Sequence, residues 1–347
     1  MKNPWRDLPK PLIVQAPMED VTDTVFRQML AKYGKPDIFF TEFTNVDGVF
    51  SQGRSRVIHR LRFDPKIERP IIAQIWGHSP QNYYDGAKYV RELGFDGVDI
   101  NMGCPQRKIV SKGLCGALID NHEHAEKVIR AVLDGAGGLP VSVKTRIGVK
   151  GIATEDWIGF LLGFPLSAIT VHGRTVDEKS KVPCHWDEIG KAVQLRNRLN
   201  PDVVIIGNGD VQNRAHALEM VAQYGVDGVM IGRALMEDIQ ACATEVERLE
   251  FTPAQRIKAL QEHVRLFEQT WGDAEEARAY VQDPLDGEAT VALGTASKRA
   301  NVVKKYVSLY IREFDGAREL RSGVMGCKTF DEMQAVLETE SAKLDVD

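Results

Sequence analysis

"VVIIGNGDVQNRAHALEMVAQYGVDGVMIGRA", residues 203–234, holds two short β-branched runs with a stretch of helical period between them. Runs this short, each closed by glycine and a polar residue, read as strands buried on both faces. Asn213 opens the middle stretch and Gly225 closes it, as a helix requires. Strand, helix and strand in so little chain form a βαβ unit, whose two strands run parallel.

Working outward, the same alternation recurs. "LIVQAP" (12–17), "DIFFTEF" (37–43), "IIAQIW" (71–76), "GVDINM" (97–102), "VSVKTR" (141–146) and "AITVHGR" (168–174) precede "VVIIGNGD" (203–210) and "GVMIGR" (228–233). Helical stretches such as "TDTVFRQMLAKYG", "PQNYYDGAKYVRELG" and "NHEHAEKVIRAVLDGAGG" lie between them. Eight βα units are the number that closes a TIM barrel. An open doubly wound sheet is the competing arrangement, but its Gly-rich turn is missing after the first strand, where "PMEDVTD" follows instead.

Beyond about residue 240 the strand pattern ends, and "AQRIKALQEHVRLFEQTWG", "LGTASKRANVVKKYVSLYIREF" and "KTFDEMQAVLETESAKL" read as helices. The expected fold is therefore an α/β TIM (β/α)8 barrel over residues 1–245, followed by a smaller C-terminal all-helical domain over 246–347.

The chain has 347 residues and a formal net charge of −5. That charge excludes a protein that coats nucleic acid by bulk attraction, so any RNA contact must be local. Five cysteines, at 104, 115, 184, 242 and 327, form no CxxC pair, which gives neither a disulfide framework nor a zinc spacing. No metal is expected. The sequence lacks an apolar run of membrane-spanning length and an apolar leader core, so a soluble cytoplasmic protein without membrane attachment is expected.

In a TIM barrel the chemistry gathers at the carboxyl ends of the strands. Here those ends carry Pro17 and Met18, Glu42, Gln74, Asn101 with Cys104, Lys144 with Arg146, His172 with Arg174, Asn208 with Gly209 and Asp210, and Gly232 with Arg233. "GNGD" and "GR", after the seventh and eighth strands, occupy the place where barrels bind phosphate: glycine lets backbone N–H groups approach, and Arg233 adds a charged fork. Lys144 and Gln74 deeper in the mouth suit a flavin mononucleotide, Lys144 by offsetting charge on a reduced ring. A sugar phosphate fits the phosphate half equally well.

"APMEDVTDTVFR", "TEF", "AQIWG", "GVDINMGCP", "VSVKTRIG", "VHGRT", "IIGNGDV" and "DGVMIGRA" lie in order over residues 13 to 234. Together they resemble the tRNA-dihydrouridine synthases, flavin-dependent enzymes that reduce uridine to 5,6-dihydrouridine in the D-loop of tRNA. The resemblance implies FMN as cofactor and NADPH as reductant, and it makes Cys104 the proton donor. Gln74, Lys144 and His172 would contact the flavin, with Pro17 and Met18 beside it, while Asn208, Gly209, Asp210, Gly232 and Arg233 would hold its phosphate or neighbouring atoms. Asn101 and Arg174 would line the uracil pocket. The thiol suits the task, because its ordinary pKa of about 8.5 leaves it protonated at neutral pH yet easily ionised.

The sequence departs from relatives at two places. Cys115 sits where they usually carry glycine or another small residue, and "VDEKSKVPCHW" lacks their Gln and Tyr. Cys115 reads as a small buried hydrophobe.

Two basic stretches are candidates for tRNA contact, "GRSRVIHRLR" (53–62) and "SKRANVVKKYVSLYIREFDGARELR" (297–321). On one continuous helix Lys298, Lys305 and Arg312 would share a face, and Lys298, Arg299 and Lys305 are taken as the substrate contacts of the tail. Arg107, Lys108 and Lys112 follow Cys104 on its own loop, where a polyanion would enter. A monomer is expected, since tRNA must reach both mouth and tail. Two other classes are weighed: a flavin barrel acting on a free pyrimidine, and a non-catalytic RNA-binding barrel.

Overall fold

The computed structural model describes residues 2–271, 282–283, 287–288 and 296–344. Nine strands make the central sheet: β1 (Leu12–Gln15), β2 (Phe39–Phe40), β3 (Thr44–Asn45), β4 (Ile71–Trp76), β5 (Gly97–Met102), β6 (Val141–Arg146), β7 (Ala168–His172), β8 (Val204–Asn208) and β9 (Gly228–Ile231). All are parallel and pair in chain order, and β9 returns to β1, with Leu12 opposite Gly228. β2 and β3 are two pieces of one stave, both paired to β4. The eight expected strands are thus the eight staves of a barrel.

The second stave breaks because a side chain takes over from the backbone. Thr41 Oγ1 accepts the Gln74 N–H at 3.1 Å and donates to the Glu42 carbonyl at 2.7 Å, which interrupts the ladder between Phe40 and Thr44. Glu42 is left at the barrel mouth, almost fully buried. The seam between β1 and this stave is closed by Asp37 N–H to Ile13 O (2.8 Å), Gln15 N–H to Ile38 O (3.0 Å) and the buried Gln15 side chain, which accepts Phe40 N–H at 2.9 Å.

Inside the staves, Leu12, Val14, Phe40, Ile72, Ile206 and Met230 form one apolar cluster, and Trp5 from the short helix Pro4–Asp7 plugs its lower end. A larger cluster lies between staves and helices. Four of the helices start at side-chain caps, Asp23, Ser79, Asn121 and Asn213, each accepting a backbone N–H of the first turn. Gly137 and Gly225 end two of them in the left-handed conformation.

After β9 a loop leads to the tail helix Pro253–Trp271, followed by helices at Ala296–Val303, Val307–Tyr310, Ala317–Gly326 and Phe330–Leu344. A two-residue antiparallel pair, β10 (Gln282–Asp283) with β11 (Gly287–Glu288), is the tail's departure from helix. The tail packs on the barrel's first loops: Tyr306 stacks on Phe26 at 5.3 Å and its hydroxyl donates to Val21 O.

The expected basic faces come out differently. Helix Ala296–Val303 gives way to a 3-10 turn at Lys304–Tyr306, so Lys298, Lys305 and Arg312 do not share one helical face. Of the apolar residues Val302, Val303, Tyr306 and Leu309, the last three are buried and Val302 is exposed, while Lys305 turns toward the barrel. In the earlier stretch, Arg54 lies over the Tyr89 ring, Arg60 pairs with Glu19 at 2.7 Å, and Arg62 donates to Thr270 O and covers Trp271. Those arginines join parts of the protein; Arg56 is the exposed one among the described residues of that stretch.

Candidate active site

The carboxyl ends of the staves surround a cavity of about 590 Å³. It is lined by Pro17 and Met18 after β1, Lys144 and Arg146 on β6, His172 on β7, Asn208, Gly209 and Asp210 at the end of β8, and Gly232 and Arg233 after β9. Nine of the ten residues expected to hold a cofactor therefore share one space. Gln74 is the tenth and is fully buried in the stave beside it.

One end of the cavity is shaped for an anion. Gly209 has φ +133° and Asp210 φ +58°, so the chain turns back sharply after β8. Arg174 and Arg233 both pair with Asp210, from opposite carboxylate oxygens, and Arg233 stays largely exposed while so held. Among the described residues the N–H groups of Val211, Gly232 and Arg233 make no hydrogen bond within the protein, so a phosphate would find donors ready. A Cβ at 209 would lie 2.5 Å from Cys184 Sγ, in a conformation that L residues rarely adopt. Gly209→Ala is expected to strain this turn by about 1–3 kcal/mol. The effect should appear as about tenfold weaker flavin retention in a titration of the apoprotein; unchanged retention would remove this turn from the cofactor site.

Lys144 sits deeper. Its Nζ donates to Asn208 Oδ1 at 3.0 Å, and burial, with Arg146 nearby, brings its pKa down to about 8. Among the described residues it pairs with no carboxylate, so it is a half-buried cation ready for negative charge. His172 accepts from Arg174 Nη1 at Nε2 (3.2 Å). Arginine only donates, which fixes the imidazole as neutral with its proton on Nδ1; burial and the surrounding cations push its pKa well below the ordinary value, in agreement.

Cys104 is positioned by a chain of hydrogen bonds that crosses three staves. Ser142 Oγ donates to Asp99 Oδ1 (2.6 Å), Gln74 Nε2 to Asp99 Oδ2 (2.7 Å), and Asn101 Nδ2 to Gln74 Oε1 (3.0 Å). Asn101 Oδ1 then accepts the N–H groups of Gly103 (3.1 Å) and Cys104 (3.0 Å). From the other side Arg146 holds the carbonyls of Gly103, Thr175 and Lys179 at 2.8–2.9 Å. Cys104 is 8% exposed, and burial raises its pKa while the Gln106 backbone N–H and, more weakly, Arg146 and Lys144 draw it back. It is a held, protonated thiol at neutral pH.

Structure adds roles that the residue types alone did not reveal. Asp99 anchors the whole chain; a lone carboxylate inside the apolar run of β5 was its signal. Asn101 spends its polar atoms on Gln74 and the cysteine loop, Gln74 on Asn101 and Asp99, and Arg174, 2% exposed, on Val182 O, His172 and Asp210. Cys115 is buried at φ +51°, the left-handed region that explains why glycine suits the position. His185 bonds Glu178 at 2.9 Å within the 175–186 loop, where Ser180 reaches the cavity. Arg107, Lys108 and Lys112 are exposed beside Cys104. The side chains of Lys298 and Arg299 lie outside the described residues.

Glu42 has a pKa raised to about 7 by burial and by Asp23. Between the ordinary value and 7 the folded protein keeps a proton that the unfolded chain has released, so stability falls as pH rises through that window. Glu42→Gln should remove that slope, a difference on the order of 3 kcal/mol by pH 8. Urea unfolding of both proteins at pH 4.5 and 8 checks it; parallel pH profiles would contradict it.

Among the described residues no group of three or more metal-ligating side chains is found, and no helix is long and apolar enough to cross a membrane. The family model for dihydrouridine synthase matches residues 14–343. A Bacillus subtilis relative named probable tRNA-dihydrouridine synthase 2 is 38% identical over 97% of this chain and 96% of its own. A Staphylococcus aureus relative named probable tRNA-dihydrouridine synthase is 35% identical over 100% and 98%. Among solved structures, morphinone reductase aligns over 69% of this chain and 86% of its own, with a TM-score of 0.49 and 12% identity.

Proposed function

The chain belongs to the dihydrouridine synthase family, and from that premise we propose that it reduces uridine to 5,6-dihydrouridine in the D-loop of tRNA. The observation that carries this reading is Cys104: a buried, protonated thiol on a loop fixed by Asn101 and Arg146, under the influence of two cations that line the mouth.

Bound FMN would supply hydride from N5 to uracil C6, with NADPH as the source of its electrons. The residues of the chain supply the rest. Arg233 and the free N–H groups of the β8 and β9 turns bind phosphate, and Asp210 aims Arg233. Lys144 offsets negative charge beside the ring, held there by Asn208. Cys104 gives its proton to C5 on the face opposite the hydride, acting as an acid and not as a nucleophile. Asn101 serves the uracil side by holding the cysteine loop, and Arg174 by holding Asp210. Pro17, Met18, Gln74 and His172 complete the ring's surroundings, His172 as a neutral donor through Nδ1.

Arg107, Lys108 and Lys112 near the mouth, with Lys298, Arg299 and Lys305 from residues 246–347, are assigned to tRNA, and residues 1–245 to catalysis by a cytoplasmic monomer. Unmodified tRNA from a host lacking its own synthases, incubated with the protein and NADPH, should gain dihydrouridine by nucleoside mass spectrometry. Mapping should put it in the D-loop. A flavin-loaded protein that NADPH bleaches but that forms no dihydrouridine would overturn the reading.

A further inference from the structure

Met18 faces the large cavity, and Asp20, two residues on, faces a second one of about 500 Å³ between barrel and tail. Two residues of extended chain span at most about 7 Å, which is the order of one step along an extended polynucleotide. The barrel side of this second space is made by Glu42, His59 and Arg60, and the tail side by Trp271, Val302 and Lys305.

Arg60 and Asp23 are spent, on Glu19 and on the Phe26 N–H and Trp271 Nε1, while Glu42 keeps one oxygen free. Glu42 Oε1 accepts the Asp20 N–H at 2.6 Å, while its other oxygen takes no hydrogen bond among the described residues. Among the described residues Lys305 forms no ion pair: its ammonium lies over the Tyr306 ring at 5.0 Å, and burial lowers its pKa although Asp23, Glu42 and Asp20 act the other way. Asn301 and the exposed Arg56 lie at the same space. Glu42 is almost fully buried and Lys305 half-buried, so a polar group that enters the cavity meets a carboxylate oxygen and an ammonium whose access to water is restricted. Trp271 and Val302 add apolar wall for a flat group.

We propose that this cavity takes the base of a guanine nucleotide that neighbours the uridine under reduction, with Glu42 as its acceptor. The assignment rests on the tRNA reading above. Guanine alone among the four bases presents two adjacent donors, N1–H and the N2 amino group, to a carboxylate. Adenine and cytosine put an acceptor beside their amino group, and uracil flanks its single N–H with carbonyls; each sets a lone pair against Glu42. Lys305 and Asn301 suit the guanine O6, and Arg56 suits a phosphate at the rim.

The test has two arms on the FMN-loaded enzyme, whose flavin site is filled. In the first, saturation-transfer NMR compares GMP, AMP, CMP and UMP. GMP is expected to bind best, Glu42→Gln to weaken it by about tenfold, and Val302→Trp, which fills the space from an exposed helix position, to abolish it with flavin reduction by NADPH unchanged. Equal binding of the four nucleotides, or GMP binding unaffected by Val302→Trp, overturns the proposal. In the second, tRNA transcripts carry inosine, which lacks the N2 amino group, for the guanosines flanking the reduced uridine. kcat/KM should fall for the wild type and stay level for Val302→Trp. GMP binding with transcripts treated alike would make the ligand a free nucleotide and overturn the tRNA assignment. Failure to reduce any tRNA would instead count against the proposed function, with the GMP arm still readable.

Discussion

Cys104→Ala is expected to cut formation of dihydrouridine by about 10²–10⁴-fold, the usual contribution of a positioned general acid. Flavin content and bleaching by NADPH should be unchanged. The separation follows from the geometry: Cys104 is held by Asn101 and Arg146, whereas the anion end is built from the β8 and β9 turns. Single-turnover reduction of tRNA, followed by nucleoside mass spectrometry, reads the first effect, and flavin absorbance reads the second. The same thiol sets an alkaline limit. Burial keeps its pKa above the ordinary thiol value, so the wild-type rate should hold at neutral pH and fall as the pH climbs through that raised pKa. A Cys104→Ala enzyme as fast as the wild type would assign the proton to another group.

The largest effect on stability is expected at Arg27. It is wholly buried, with Nε on Glu68 and its two Nη groups donating to the carbonyls of Thr22 and Arg62. Glu68 is also wholly buried, and Thr24 donates to it. Arg27→Ala strands this carboxylate away from water and leaves two carbonyls without donors, which costs about 3–5 kcal/mol. Replacing both partners, as Arg27→Met with Glu68→Leu, should cost much less than the sum of the single changes, because no lone charge remains. Urea midpoints of the four proteins measure the coupling. Additive losses would mean that the pair does not act as a unit.

The eight staves were legible because each is a short β-branched run bounded by turn residues, and helix caps such as Asn213 and Gly225 mark their own positions. That Asn208, Gly209, Asp210, Gly232 and Arg233 share one cavity was legible too, since all of them stand at the carboxyl ends of the last two staves. Residues whose partners lie far along the chain were not. Arg54, Arg60 and Arg62 look like a basic patch in "GRSRVIHRLR", and only the folded chain brings Tyr89, Glu19 and Trp271 to them. The common face of Lys298, Lys305 and Arg312 was misread for a similar reason: a heptad spacing implies one continuous helix, and the turn at Lys304–Tyr306 breaks it. The split second stave depends on one hydroxyl, Thr41 Oγ1, replacing a carbonyl, which no hydrophobic pattern records.

The tail's anchorage on the first loops bears on how such enzymes diversify. Tyr306 is bonded to Val21 and stacked on Phe26, and Arg62 is clasped by Thr270 and Trp271, so the tail cannot be exchanged like a cartridge. A recombination event that joined this barrel to a foreign tail near residue 246 would strand an aromatic face on one parent and a guanidinium on the other. The unit of inheritance for a new tail is therefore discontinuous. It comprises the tail together with residues 18–27 and 56–62, and lineages that change one of the three segments should be found to have changed the others with it.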